Sequence, residues 1–375
     1  MQTEKYEEIK FKKRTEIDGI EIESAIVRKI RIPLNMTFSI SLGSQEFYEG
    51  IFVGFRADGF SGYGEGETVA QITGEDPEVL FHTALGIVSL MDGQKFDGME
   101  EASSFINSYC YGNTASKSAV EISLYDLISK AANLHLAKLL GGNMNPRRTS
   151  LTIPINSVRE NLELLMRYQE YGAKIIKVKV GKDLESDLER VKEIASNLKN
   201  GVSFFADANQ GYNLGRALKM ANTLQKYEAL FFEQPMPRND LYGLKDLRNK
   251  SGLPIMLDET ISSGTDVFNA VMVGAADMVN VKLSKSGGIR NAIKALTVAQ
   301  SAGLEAMVGC MLESKLGIAA SLAVANTLSN VKYTDLDGFT YLQKQPFEGG
   351  VEMKDGIDSL VKGIGLAAYP DSEVL

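Results

Sequence analysis

Histidine is nearly absent from this chain of 375 residues, with only His82 and His135, and none follows His135. Zinc enzymes of the barrel and peptidase types draw on several histidines, and a serine-type triad needs one beside its nucleophile. Both histidines lie in helix-like segments and read as packing or surface residues. Acid–base work therefore falls to lysines and carboxylates. Cysteine is equally scarce: Cys110 and Cys310 belong to no motif, as expected of free thiols in a reducing compartment. The chain has no run of ~20 apolar residues, so none is expected to cross a bilayer. The charged start MQTEKYEEIKFKKRTEIDG has no apolar centre like that of a signal peptide, so the expected location is cytoplasmic. The net charge is −8 with no long basic run, which leaves nucleic-acid binding without its electrostatic footprint.

What the chain does have is a count. Five apolar runs, KIIKVKVG, VSFFADANQG, ALFFEQPM, LPIMLDET and DMVNVKLSKS, each carry a charged residue near their end: Lys179, Asp207, Glu233, Asp258 and Lys282. The last four are separated by 26, 25 and 24 positions. That is close to the ~30 residues of a strand–helix–strand unit, which include both strands. Short apolar runs bounded by turn signals suit strands buried on both faces. Side chains alternate along a strand, so Lys177 shares a face with Lys179, and Phe205 with Asp207. In a (β/α)8 barrel such groups meet at the C-terminal mouth, where these enzymes carry their active sites. Strands two and six lie opposite one another, so Lys179 and Lys282 would address opposite faces of a bound molecule.

The remaining strands follow in order. Ser150–Asn156 is expected to be strand one, 304–311 strand seven and 331–338 strand eight, the last ending in Asp335 and Asp337 on one face. Residues 1–21 read as a polar extension, helical at best. From Ile22 the pattern becomes an antiparallel meander, interrupted by the small, polar stretch NMTFSISLGSQEFY, expected to be a lid loop. Helices are expected over 77–92 and 115–140. The whole reads as α/β, a (β/α)7β TIM-type barrel with an α+β capping domain. The cap is expected to span 1–147, the barrel 148–345, and a tail, 346–375, to return toward the cap.

Asp207, Glu233 and Asp258 are hard oxygen ligands without nitrogen or sulfur beside them, a set that favours Mg²⁺, or Mn²⁺, over zinc. A single strand-end acid is often only a surface salt bridge, but three in step on consecutive strands are not explained that way. A metal beside lysines suits abstraction of a weakly acidic proton next to a carboxylate, whose charge needs electrostatic stabilisation.

The runs IKVKVG, ADANQG, FEQP, DET and NVKLSKSGG resemble the muconate-lactonizing subgroup of the enolase superfamily. The segments GYGEGETVAQITGED and AVEISLYDLISKAANLHLAKLLGG resemble its capping domain, so the similarity runs from about Ile26 to Ala367. Within the subgroup, Asp335-Leu336-Asp337 resembles the acidic pair of dipeptide epimerases of the L-Ala-D/L-Glu type. The resemblance implies Mg²⁺ on Asp207, Glu233 and Asp258, with Lys179 and Lys282 as the two acid/base catalysts. It further implies Lys177 at the substrate carboxylate, and Asp335 and Asp337 at the free ammonium of a small dipeptide. Such an enzyme would act on D-amino-acid-containing peptides such as those of murein, without nucleic-acid or membrane partners, as a monomer or a homo-oligomer.

One departure stands out. The Ala-Glu epimerases carry a basic residue in the mobile cap loop, whereas here 33–50 contains no Lys or Arg. Either the residue inverted is not glutamate, or its carboxylate meets a cation from elsewhere. Competing readings within the subgroup are o-succinylbenzoate synthesis, N-succinylamino acid racemisation and muconate cycloisomerisation, with Asp335 and Asp337 as plain capping residues. A non-catalytic metal-binding barrel is a further reading. A sugar-acid dehydratase would bring a late-strand histidine, which this chain lacks.

Overall fold

The computed structural model describes residues 2–67 and 69–372. Four antiparallel strands come first, Gln2–Ile17, Ile20–Ile40, Gly43–Ala57 and Phe60–Glu67, each paired with the next. Two of the turns are Asp-Gly pairs, Asp18-Gly19 and Asp58-Gly59, with φ of 49° and 79° and of 48° and 81°. Positive φ at both central residues is what a two-residue type I′ hairpin demands.

Residues 2–17 form a strand rather than a helical or structureless extension, because their backbone pairs with Ile20–Arg31. Ile9 and Phe11 pack against the cap core and Thr15 and Ile17 are buried, an alternation ending at Asp-Gly. The stretch expected to be a lid loop is also strand: the second hairpin runs on through Phe38↔Gln45 to Ile40↔Gly43, past a register shift between Pro33 and Phe38.

The meander packs on helices Pro77–Leu90, Met99–Ser108 and Thr114–Ala131. Expected helix 115–140 stops at Ala131 and resumes as Leu136–Leu139, and Met99–Ser108 is a further helix beyond the two expected. Helix Thr114–Ala131 lies directly against strand Phe60–Glu67. A Cβ on Gly62, Gly64 or Gly66 would fall 2.3, 2.1 and 2.5 Å from the helix's Ser123, Ala119 and Ala115 carbonyl oxygens. With glycines on that face, alternation turns Glu65 toward the barrel.

The barrel has eight parallel strands in chain order: Leu151–Ile153, Ile175–Lys179, Ser203–Asp207, Phe232–Glu233, Ile255–Leu257, Met278–Val281, Glu305–Gly309 and Val331–Asp335. A Thr149–Thr334 bridge, with Ser150 N donating to Thr334 O at 3.0 Å, joins the last strand to the first. Most crossover helices start at their own cap, for example Ser157 with Glu160 in a capping box, Asp183, Asn213 and Ser263. Two also take acids from the cap. Glu121 accepts from Arg290 N at 3.1 Å, and Glu65 accepts from Ser314 N at 2.8 Å and Gly317 N at 3.0 Å.

After the eighth strand comes a short 3₁₀ turn, Gly338–Tyr341, and then short strands, with no eighth outer helix among the described residues. The tail touches the cap: Gly365 bridges to His135, and Leu366 N donates to Asp126 at 2.7 Å. No helix among the described residues is long and apolar enough to cross a membrane.

Candidate active site at the barrel mouth

Alternation along the strands builds the site in layers. Phe205, Phe231, Met256, Met278 and Met307 form a separate apolar cluster inside the barrel, with Phe205 and Phe231 stacked at 4.3 Å. Two residues further along four of those strands stand Asp207, Glu233, Asp258 and Asn280. Lys177 spans the layers, its Nζ 5.7 Å from the Phe205 ring.

Asp207, Glu233 and Asp258 are fully buried and each turns an oxygen inward, these atoms lying within 4.8 Å of one another. Lys177 Nζ sits 3.0 Å from Asp207 Oδ2, 3.0 Å from Glu233 Oε2 and 2.7 Å from Asp335 Oδ2. Lys179 Nζ donates to Asp207 Oδ2 at 2.7 Å and Asn209 Oδ1 at 3.0 Å. Lys282 Nζ lies 3.0 Å from Asp258 Oδ2. Asp335 accepts from Ser150 Oγ at 2.6 Å, while Asp337 accepts from Thr152 N at 2.7 Å and Tyr341 Oη at 3.2 Å. The structure thus brings all eight sequence-predicted residues to one mouth, with Lys179 and Lys282 on strands four apart.

Residues that sequence reasoning passed over complete it. Lys285 is buried and donates to the Asp258 carbonyl and carboxylate and, at 3.3 Å, to Asn280 O. The run KLSKS holds two lysines three apart, a signal visible in the sequence. Asn280 donates to Glu233 Oε1 at 2.7 Å, and Asn209 donates to Glu259 Oε1 at 3.1 Å.

Four buried ammonium groups (Lys177, Lys179, Lys282 and Lys285) face six buried carboxylates (Asp207, Glu233, Asp258, Glu259, Asp335 and Asp337), with the buried Glu67 and Glu313 also acting on Lys282, so acids outnumber cations. The imbalance shows in the acids. Burial works against ionised Asp207, but Lys177 and Lys179 prevail and bring its pKa to about 2. Burial and neighbouring Asp207 push Glu233 up to about 8. Burial and Asp335 raise Asp337 to about 7. Glu233 Oε2 and Asp258 Oδ2 are buried and met only by the ammonium groups of Lys177 and Lys282. A divalent cation on the three acids would offset this excess, and their inward oxygens, all within 4.8 Å of one another, form an all-oxygen donor set that fits a hard dication.

The cavity above is lined by Lys177, Lys179 and Lys282 below, Asp335, Asp337 and Tyr341 to one side, and residues of the cap. From the cap come Phe38, Ile40 and Gln45 of the hairpin, and Val69 and Ile72 of the segment after Glu67. The hairpin is bonded down to the barrel loops, Ser41 Oγ to Asn209 O at 2.9 Å and Ile155 N to Ser39 O at 2.9 Å. Cys310, a free thiol, also lines the cavity.

Residues 22–141 match the mandelate racemase / muconate lactonizing enzyme N-terminal domain, and residues 160–374 match the enolase C-terminal domain-like family. A hydrophobic dipeptide epimerase of Enterococcus faecalis is 32% identical over 89% of this chain and 95% of its own length. The dipeptide epimerase of Cytophaga hutchinsonii, solved with Mg and D-Ala-L-Val, superposes with a TM-score of 0.91 at 30% identity, over 94% of this chain and 97% of that one. The substrate-liganded L-Ala-D/L-Glu epimerase of Bacillus subtilis gives 0.88 at 29% identity, covering 99% of both chains. With both family models matched in order along one chain, this protein belongs to the mandelate racemase / muconate lactonizing enzyme family of the enolase superfamily.

Proposed function

We propose that the protein is a Mg²⁺-dependent dipeptide epimerase that inverts the α-carbon of the C-terminal residue. One juxtaposition carries the reading: the carboxylates of Asp335 and Asp337 share a cavity with Lys179 and Lys282, over the acidic triad. A dipeptide is a molecule with a carboxylate for one end of this cavity and an ammonium group for the other. An N-acylated amino acid or a muconate lacks the ammonium group and would offer the two acids no cation.

Asp207, Glu233 and Asp258 would hold the metal. When bound, Mg²⁺, or Mn²⁺, supplies Lewis-acid stabilisation of the charge that develops on the substrate carboxylate. Lys177 adds a donor to the same carboxylate, in a site where a fixed ammonium group stabilises charge more than water does. Lys179 on strand two and Lys282 on strand six stand on opposite walls. One removes the α-proton and the other returns a proton to the far face, so the centre inverts. Asp335 and Asp337 hold the α-ammonium group and so fix which carbon lies between the lysines. Lys285 and Asn280 hold Asp258 and Glu233 in place. The cap hairpin covers the mouth and excludes water.

Peptides released in cell-wall turnover are the natural source of such substrates, and the two free cysteines suit a cytoplasmic setting. The test is proton NMR of L-Ala-Xaa dipeptides in D₂O with enzyme and Mg²⁺. Loss of the C-terminal α-proton signal together with formation of the second epimer is expected, and chelation should stop both. Binding of dipeptides without any exchange would refute the reading.

A further inference from the structure

The cap wall of the cavity is apolar. Phe38, Ile40, Val69 and Ile72 form it with Gln45, and no lysine or arginine joins them. The three cavity lysines are already committed: Lys177 to Asp207, Glu233 and Asp335, Lys179 to Asp207 and Asn209, and Lys282 to Asp258. Arg238 touches the cap segment from outside, donating to the Ile72 carbonyl at 3.3 Å, and is itself exposed. Polar groups of the barrel match the two charged termini of a dipeptide, and a zwitterion adds no net charge to them. Whatever projects from the inverted carbon toward the cap meets hydrocarbon and the Gln45 amide, behind which the buried carboxylate of Glu67 is bonded to Gln45.

Resting on the epimerase reading, we infer that the protein selects dipeptides whose C-terminal side chain is uncharged and apolar, by means of the wall formed by Phe38, Ile40, Val69 and Ile72. A charged side chain entering this wall would be desolvated without a partner, and an unpaired buried charge is strongly unfavourable. An apolar one removes hydrocarbon from water on both sides of the contact. Selection is then a difference of affinities set mainly by what the wall refuses.

The experiment compares L-Ala-L-Leu, L-Ala-L-Glu and L-Ala-L-Lys with the Mg²⁺-loaded enzyme, measuring kcat/KM for epimerisation and α-deuterium exchange for each. The leucine dipeptide is expected to exceed both others by at least tenfold in kcat/KM. Ile40 is only partly buried at the hairpin tip, and Ile40→Arg should narrow the leucine-to-glutamate ratio at least tenfold. A charged dipeptide within tenfold of L-Ala-L-Leu would overturn the selectivity, and an unmoved ratio in Ile40→Arg would overturn its assignment to the cap wall. Exchange with none of the three would instead defeat the epimerase reading beneath it, and the selectivity with it.

Discussion

Replacing Glu65 by alanine should loosen the cap from the barrel. This carboxylate sits on strand Phe60–Glu67, fully buried, and accepts four hydrogen bonds: Ser314 N at 2.8 Å, Ser314 Oγ at 2.5 Å, Gly317 N at 3.0 Å and Tyr48 Oη at 2.8 Å. Three of the donors lie at the start of barrel helix Lys315–Ala325 and the fourth is in the cap. Each buried donor left without an acceptor costs ~1–3 kcal/mol. One effect offsets this: the mutant no longer buries an acid whose pKa burial has raised. The net loss should be about 3 kcal/mol, below the sum for four unpaired donors. Glu65→Gln keeps one acceptor oxygen and should lose about half as much. Urea midpoints at constant m report the change, and hydrogen exchange should locate it in the cap strands. A Glu65→Ala loss below ~1 kcal/mol, within the net range of one hydrogen bond, would refute the idea that this residue joins the two layers.

Two further outcomes follow from buried acids on the eighth strand and in the tail. Asp335→Asn should raise KM ten- to a hundredfold with kcat changed less than about fivefold, because a contact to the ammonium group is made equally in ground and transition states. Steady-state kinetics on one dipeptide checks it, and a fall in kcat at constant KM would count against the assignment. Asp358 is buried, and burial with neighbouring Asp337 pushes its pKa up to about 8, a contact from Thr149 offsetting only part of the rise. Its unfolded value is about 3.9, so the native state holds this proton more tightly. The stabilisation is complete below about pH 4 and is lost as pH rises toward the folded value, by on the order of 5 kcal/mol. Asp358→Asn should therefore gain on the wild type as pH rises from 5 to 8 in urea titrations. A constant gap would remove Asp358 from the account.

All eight barrel strands were legible because most are short apolar runs closed by a turn, and because five of them carried a functional group in step. The inward position of Asp207 and Glu233 follows from alternation with Phe205 and Phe231 beneath them. Strand Gln2–Ile17 was hidden by its own composition: most of its side chains from Lys5 on are exposed, and backbone pairing rather than burial holds it. The hairpin reaching Phe38 and Ile40 was obscured in the same way, by small polar residues that lie over the mouth instead of in a core. Lys285 was visible as a residue but not as a participant, since a one-turn helix, Leu283–Ser286, brings it back under Asp258. Glu65 and Glu121 cannot be read as helix caps from sequence, because the helices they cap lie more than 160 residues further on.

The two-amine arrangement is tested most directly by separating the faces. Lys179→Ala and Lys282→Ala, each loaded with Mg²⁺, are incubated in D₂O with either epimer of one dipeptide, and deuterium at the α-carbon is followed by NMR. Each variant should lose epimerisation by at least about a thousandfold, within the range that a positioned acid–base group contributes. Exchange should survive on one epimer only, and on opposite epimers in the two variants. Exchange of the same epimer by both, or near-normal epimerisation by either, would contradict it.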